Sequence, residues 1–561
     1  MARSKKRSPS TSGPTPGQTS GERPEPPAPE EPAVALPTLD KRPRLTLGLA
    51  AMAMALIFVT WWLVLSSYRV FCFSSVDVFW IMRTGQVILE SGQLPRADIY
   101  SFTNLGKPWV LYQWLFEVVV GLVYQLGGLK ALQALVLSVA SFTLAGVAFR
   151  EMTRSGVNYS VAWLVTSAAS AACFTFISVR PHLVSILCVY TVARLLDRHW
   201  TKADRGIFWL VPLFLIWANC HLIFTVGLSM AAIYWGSSLF AWLQKRGNGQ
   251  AESRRAGLLG AALALSGLAT LINPYGWSVY LYGYHISSES YWSRHIGEML
   301  MPEFNNPILL MILGYIAITV ISFMVSARRP SLPEGLVYVG LFCAALTSYK
   351  LLPYFVAATM QGTAVRLEPA LSSFLGPFFP PLIRNVSHRL TAWTATNYYV
   401  VAVVLVAFLH GITRLPLFPP WVPVKAADWL SRHPIGQHLY CSAKYGSYLI
   451  YRFEGKLPVF IDTRFDMYGP AFSQIYHYAE AEGLGFEALV RRYKIDGAFV
   501  QSVSGIVRYL DRQPDWLKVY QDYQATIFVR KQEMRQPLPR APEPPLPLSA
   551  PLSSFAGERE E

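Results

Sequence analysis

The chain has 561 residues, of which 52% are hydrophobic, 14% aromatic and only 15% charged, with a formal net charge of +15. So apolar and so unevenly apolar a composition excludes a soluble multidomain protein and points to a polytopic membrane protein. The Lys and Arg residues stand in short runs beside apolar segments, as orientation in a bilayer requires, which argues against nucleic-acid binding.

Residues 1–43 are rich in Pro, Ser, Glu and Lys, as in PEPPAPEEPA, and cannot offset the entropy of ordering, so they read as a disordered cytoplasmic tail. A signal peptide would put its apolar stretch nearer Met1. Here KRPR at 41–44 abuts an apolar run from Leu45 to about Ser66, which reads as a retained first anchor with its N-terminal side in the cytoplasm. The region 44–412 is the membrane domain, with a large first external loop over 67–112. From Ser74 to Glu117 two carboxylates and a run of aromatics follow directly on the anchor. Asp77 falls at the membrane surface, where an acid persists mainly when paired or functional.

Further apolar runs lie at about 110–127, 130–149, 158–177, 182–197, 207–219 and 222–243. If all six crossed, the basic run QKRGNGQAESRR at 244–255 would land outside. The run 110–127 is therefore expected not to cross by itself: it carries Gln113 and Glu117 and ends at Gly127-Gly128, so it lies in the interface or joins the next run in one broken passage. Spans at about 256–272, 307–326, 334–348, 351–366 and 393–411 follow, for about eleven crossings in all. The loop from Arg384 to Arg389 falls inside before the last of them.

From Leu417 the character changes. Residues 417–531 hold strand-length apolar runs (HLYCS, LPVFIDT, GAFVQ, WLKVYQD, ATIFVRK) between helical patterns (AADWLSRH, KYGSYLIYRF, FEALVRRYKI, GIVRYLDR), which predicts an extracytoplasmic α/β domain. Residues 532–561 are Pro-rich and read as a second disordered tail. The six cysteines are scattered without metal-ligand spacing.

This orientation puts Arg180, His182, Asn219, His221, Asn273, Tyr275, Tyr349 and Lys350 at external helix ends, on the side of Asp77 and Asp98. Polar groups are costly in hydrocarbon, and so many at one face predict a shared cavity open outward. Arg180 and Lys350 suit the phosphate of a lipid carrier, and Asp77 suits a base that takes a proton from an acceptor hydroxyl. Taken singly, each has a structural alternative: a snorkelling Arg, or Asn and His bonding between helices. In the α/β domain, VFIDTRFDMYG carries Asp462, Arg464, Asp466 and Tyr468 after a predicted strand. Asp462 and Asp466 could take a divalent cation or sugar hydroxyls; an Asp-Arg pair that fixes a turn is the alternative. Walker, HExxH and GxSxG motifs are missing.

An aspartate in the first external loop, many helices and an external α/β domain together resemble the GT-C superfamily of integral-membrane glycosyltransferases, which includes the oligosaccharyltransferases. The series DVFWIMRTGQVILESGQLPRADIYSFT, WVLYQWLFE, RPH, WANCH, INPYGW and YGSYLIYRFEGKLPVFIDTRFDMYG is similar to a group of bacterial glycosyltransferase-like proteins, over about residues 45–530. The resemblance implies an inner-membrane enzyme of the cell envelope that transfers a sugar, with inversion, from a polyprenyl-phosphate donor to a glycan, lipid or protein acceptor on the external, periplasmic face. It places the catalytic acid at Asp77 and a second acid at Asp98. Many relatives carry two acids close together in this loop, whereas Asp77 is followed by Val78 and Phe79, so a divalent metal of the oligosaccharyltransferase type stays open. Two rival functions are a transporter or lipid flippase, for which pseudo-symmetric halves are not evident, and a non-catalytic envelope-assembly scaffold.

Overall fold

The computed structural model describes residues 75–173, 176–244, 249–295, 307–375, 404–410, 412–413, 418–419 and 421–533. The tail 1–43, the first anchor, the Arg384 to Arg389 loop, most of the run 393–411 and the tail beyond Glu533 lie outside the described residues. The helical bundle and the C-terminal domain belong to one compact unit, Ala50–Glu561.

Helix α1 (Asp77–Ser91) starts on Asp77 itself, whose negative charge suits the positive end of the helix dipole, and ends on Gly92 at φ 66°. Helix α2 (Trp114–Ala140) breaks at Gly127 and Gly128, where φ/ψ of 63° and −153° at Gly128 is open to glycine alone. From Trp114 to that break the helix is about 20 Å long, too short for a hydrocarbon core of about 30 Å. It packs along α1 instead. The two backbones touch at paired glycines: a Cβ on Gly85 would stand 1.9 Å from the Glu117 carbonyl oxygen, and one on Gly121 would stand 2.5 Å from the Gly85 carbonyl carbon. Tyr124, near the break, reaches the C-terminal domain, its hydroxyl 3.3 Å from that of Tyr451. The glycine pair thus ends the first part of α2 and the second part continues from it, which is compatible with either arrangement expected for the run 110–127.

After the break, α2 continues through a π-helical segment, Ser141–Val147, into α3 (Ala148–Arg154). Then follow α4 (Tyr159–Ala172), α5 (His182–Lys202), α6 (Leu210–Ala218), α7 (Phe224–Leu243), α8 (Gly249–Thr270), α9 (Ser278–Ser288), α10 (Ser290–His295), α11 (Pro307–Val325), α12 (Leu332–Thr347) and α13 (Leu352–Leu375). Helix α13 is the centre of one half of the bundle, packed on α4, α5, α11 and α12, while α8 packs on α6 and α7. The stretches Trp114–Arg154 and Phe224–Leu243 are long and apolar enough to cross a bilayer; Val161–Ala172, Arg205–Ala218, Leu310–Val325 and Leu332–Thr347 are shorter apolar helices.

The C-terminal domain runs α14 (Val424–Arg432), β1 (Leu439–Cys441), α15 (Ala443–Arg452), α16 (Phe465–Tyr468), α17 (Pro470–Glu482), α18 (Phe486–Tyr493), β2 (Gly497–Gln501), α19 (Gly505–Leu510), β3 (Trp516–Gln521) and β4 (Ala525–Arg530). The sheet order is β1-β2-β4-β3, with β1 and β2 parallel and the other pairs antiparallel. Strands β2 and β4 are buried along almost their whole length, hence the apolar run GAFV and the nearly apolar run ATIFV, in which Thr526 is the one polar residue. One expected strand is corrected. The run LPVFIDT does not join the sheet but forms a single parallel bridge, Val459 to Ser101 of the first loop. The Val459 N–H donates to the Tyr100 carbonyl at 2.9 Å, and the Phe102 N–H donates to the Val459 carbonyl at 3.1 Å. Its apolar residues cover the first loop, so its strand pattern marks a seam between two parts of the molecule.

Candidate active site

Asp77 stands where that seam meets the helical bundle. Its Oδ2 accepts from Arg180 Nη2 at 2.8 Å, and the two side chains keep 17% and 21% exposure, so the pair is sheltered yet reachable. Arg180 comes from the turn just before α5, fixed by Pro181 at the helix start. From the other side Thr463 Oγ1 donates to Asp77 Oδ1 at 2.5 Å. Thr463 is itself set by Ser447 of α15: its N–H donates to Ser447 Oγ at 3.2 Å, and the two hydroxyls lie 2.9 Å apart. Two distant segments thus hold the carboxylate directly, and a third, α15, sets one of them.

Thr463 can face Asp77 because its two neighbours face the other way. Asp462 accepts from Arg464 Nε at 2.8 Å, from Arg464 Nη2 at 2.6 Å and from the Tyr468 hydroxyl at 2.9 Å. Arg464 Nη2 also donates to Asp98 Oδ1 at 2.9 Å, while the other Asp98 oxygen takes the Ser101 N–H and hydroxyl. Asp98, Asp462 and Arg464 are 1%, 0% and 3% exposed, and the guanidinium lies over the Trp109 ring at 4.4 Å. This is a sealed ionic clamp between the first loop and the C-terminal domain. Asp98, Asp462 and Arg464 are thus engaged with one another and closed to solvent.

Asp466 is placed differently. It accepts from the Tyr282 hydroxyl of α9, and the Tyr282 ring lies 5.6 Å from that of Tyr112. Burial pushes the Asp466 carboxyl above its ordinary 3.8, although the Tyr282 bond opposes the shift. Burial likewise raises the Tyr112 hydroxyl, and the charges of Asp466 and Asp77 add to the shift while Arg180 opposes it.

Behind Arg180, His182 and His221 meet at 4.8 Å, nearly perpendicular. His182 Nδ1 lies 2.5 Å from the Tyr354 hydroxyl. Lys350 lies in the short turn Tyr349–Leu351 just before α13, four residues ahead of the Tyr354 that meets His182. Asn219, Asn273 and Tyr275 form a separate group. Asn219 accepts from Trp114 Nε1 at 2.8 Å and donates to the Leu215 and Ile272 carbonyls. Asn273 closes its own turn through Thr270, Tyr275 and Gly276, and the Tyr275 hydroxyl accepts from the Leu111 N–H at 2.9 Å. Asn219 and Tyr275 thus hold the segment that opens α2, and Asn273 fixes the turn that carries Tyr275. Beside them a largely apolar cleft of ≈ 390 Å³ opens between Trp114, Leu215, Ile216 and Ile272.

Of the expected site residues, Asp77, Arg180, Lys350 and Asp466 keep partial exposure, His182 and His221 are buried, and the others are engaged in the clamp or in the contacts around the start of α2. Thr463, Tyr112 and Tyr282 were not singled out from sequence. Thr463 lies inside the quoted VFIDTRFDMYG, but nothing in its spacing marks it. Among the described residues no group of three or more His, Cys, Asp or Glu is arranged to hold a metal ion. With both Asp462 oxygens committed to Arg464 and Tyr468, the donor set does not fit a divalent cation, and the positive charge beside Asp77 is a guanidinium.

No protein-family model matches the sequence, and no curated protein does. Among solved structures the chain is similar to the crystal structure of the Archaeoglobus fulgidus oligosaccharyltransferase in its apo form, with a TM-score of 0.51 and 11% identity over 80% of this chain and 69% of that one. The chain thus shares the broad architecture of that protein: mostly helical, with a small mixed sheet in the C-terminal domain. At that identity the likeness defines the architecture alone.

Proposed function

We propose that the protein is an integral-membrane glycosyltransferase of about eleven crossings that moves a sugar from a polyprenyl-phosphate donor to an acceptor hydroxyl, with inversion. Its N-terminus lies in the cytoplasm and its C-terminal domain on the periplasmic face of a bacterial inner membrane. The Asp77–Arg180 pair carries this reading: a carboxylate and a guanidinium 2.8 Å apart, both partly open, at the junction of the bundle and the C-terminal domain. The guanidinium has five N–H donors and can serve Asp77 and a phosphate together. Asp77 takes the proton of the acceptor hydroxyl as its oxygen bonds to the anomeric carbon. The bond from that carbon to the phosphate oxygen breaks, the electron pair leaves with the phosphate, and Arg180 and Lys350 neutralise the charge. The apolar cleft starting at Trp114 suits the hydrocarbon chain of such a donor.

The test is replacement of Asp77 by Asn. Loss of a positioned base predicts a fall in transfer of about a hundredfold or more at unchanged protein level, with lipid-linked sugar intermediates accumulating as they do in cells lacking the protein, identified by mass. Wild-type product from Asp77→Asn would overturn the reading in favour of a scaffold. Reporter fusions at Gly156, Gly247 and Gly455 are expected inside, inside and outside, and Gly156 outside would remove the proposed orientation.

A further inference from the structure

The pair of histidines behind Arg180 is held by a hydrogen-bond chain whose direction can be worked out. His221 lies in the turn between α6 and α7 and is 9% exposed. Its Nδ1 stands 2.7 Å from Ser185 Oγ, and the same oxygen receives the indole N–H of Trp217 at 2.8 Å. Indole N–H only donates, so Trp217 uses one lone pair of Ser185. Among the described residues the one acceptor for the Ser185 proton is His221 Nδ1. Were Nδ1 to carry the imidazole proton instead, Ser185 would accept twice, and its own O–H would be stranded in a site with no exposure. The satisfied chain runs Trp217 to Ser185 to His221 Nδ1, which leaves the imidazole proton on Nε2.

That second nitrogen has no hydrogen-bond partner among the described residues, and it is not among the fully enclosed polar atoms. It is a fixed donor on a ring that packs against His182 at 4.8 Å, and His182 follows Arg180 by two residues at the start of α5. A neutral N–H on the flank of a guanidinium suits an anion: it adds a directed bond without a further cation to repel the first.

We infer that His221 Nε2–H is a hydrogen-bond donor to the phosphate of the lipid-linked sugar, with Ser185 and Trp217 as positioning residues that hold its tautomer. The inference deepens the glycosyltransferase reading and rests on it for the identity of the anion. It distinguishes His221 from Arg180 and Lys350: the cations supply attraction, and the imidazole supplies direction.

The experiment uses the purified full-length protein in nanodiscs, with farnesyl phosphate as probe, and farnesol and inorganic phosphate as controls. A lost bond to a charged group predicts that His221→Phe weakens farnesyl phosphate binding about tenfold or more and leaves farnesol unchanged. Ser185→Ala, nearly isosteric and so a safeguard should His221→Phe fail to fold, is expected to weaken it about threefold or more, while Ser185→Thr keeps the hydroxyl and the affinity. Nitrogen-15 spectra of histidine-labelled protein should show His221 unprotonated at Nδ1, with both tautomers appearing in Ser185→Ala. Unchanged affinity in His221→Phe and Ser185→Ala, or a proton found on Nδ1 in the unaltered protein, would overturn the inference. Inorganic phosphate bound as tightly as farnesyl phosphate would overturn the lipid assignment. Sugar transfer that survives Asp77→Asn would sink the catalytic reading and leave these binding results standing.

Discussion

Thr463 and Asp77 are 386 residues apart in the chain, and the hydroxyl of one donates to the carboxylate of the other at 2.5 Å. Through this bond the C-terminal domain takes part in orienting the acid that begins α1. Removing the bond while keeping the shape of the side chain separates orientation from folding. Thr463→Val is expected to lower the turnover rate about five- to tenfold with KM little changed, a loss of about 1–1.5 kcal/mol of the kind a single hydrogen bond contributes. Thr463→Ser should stay near the wild-type rate. Steady-state kinetics on the three proteins check this, and equal rates for the Val and Ser variants would contradict it.

The crossing of α1 and α2 at Gly85 and Gly121 leaves no room for a methyl group, because the nearest atoms are backbone and cannot rotate away. Gly121→Ala must part the two helices and is expected to cost about 2–3 kcal/mol. Thermal unfolding in detergent should show the drop, whereas Gly257→Ala, at a position where a Cβ meets nothing within 4 Å, should not.

Arg464 bridges Asp98 and Asp462 in a site closed to water. Its replacement by Met leaves two buried carboxylates without their cation, which predicts a loss of about 3–5 kcal/mol. Lysine should not rescue it, since an ammonium cannot reach both acids and lie flat on Trp109 together. Limited proteolysis is the second measure: the first loop near Asp98 should become cleavable in both variants.

Glu480 supplies a pH dependence outside the site. Burial raises its carboxyl above the ordinary 4.5, although Ser442 and Tyr440 donate to it and pull the other way. In the window between the ordinary and the raised value the folded chain holds the proton more tightly than the unfolded one. Stability is thus greatest below the ordinary value and falls as pH rises through the raised one. Glu480→Gln should flatten that decline in melting temperature between pH 4 and neutrality. An unchanged slope would show that Glu480 does not govern it.

The run VFIDTRFDMYG shows where sequence reading stops. Its carboxylates and arginine stood out because charge in apolar surroundings is rare, and all of them prove to be engaged. Yet the residue that touches Asp77 is Thr463, which has no charge and no telling spacing. The run 110–127 was legible for a local reason: length, an internal Glu and two glycines are properties of a short segment. Strand-like LPVFIDT was misassigned because alternation reports only that one side is covered, and the cover turned out to be the first loop.

What the linear order of residues determined by itself is the apolar segmentation, the break at Gly127-Gly128, the change to an α/β domain near Leu417 and the presence of acids and cations at helix ends. These follow from transfer free energies and backbone preferences that each segment carries alone. Only the tertiary structure decided which of those polar residues are shut into the Asp98–Arg464–Asp462 clamp and which, like Asp77 and Arg180, stay within reach. That choice depends on what the folded chain places over each group, and burial by distant segments leaves no local trace in the sequence.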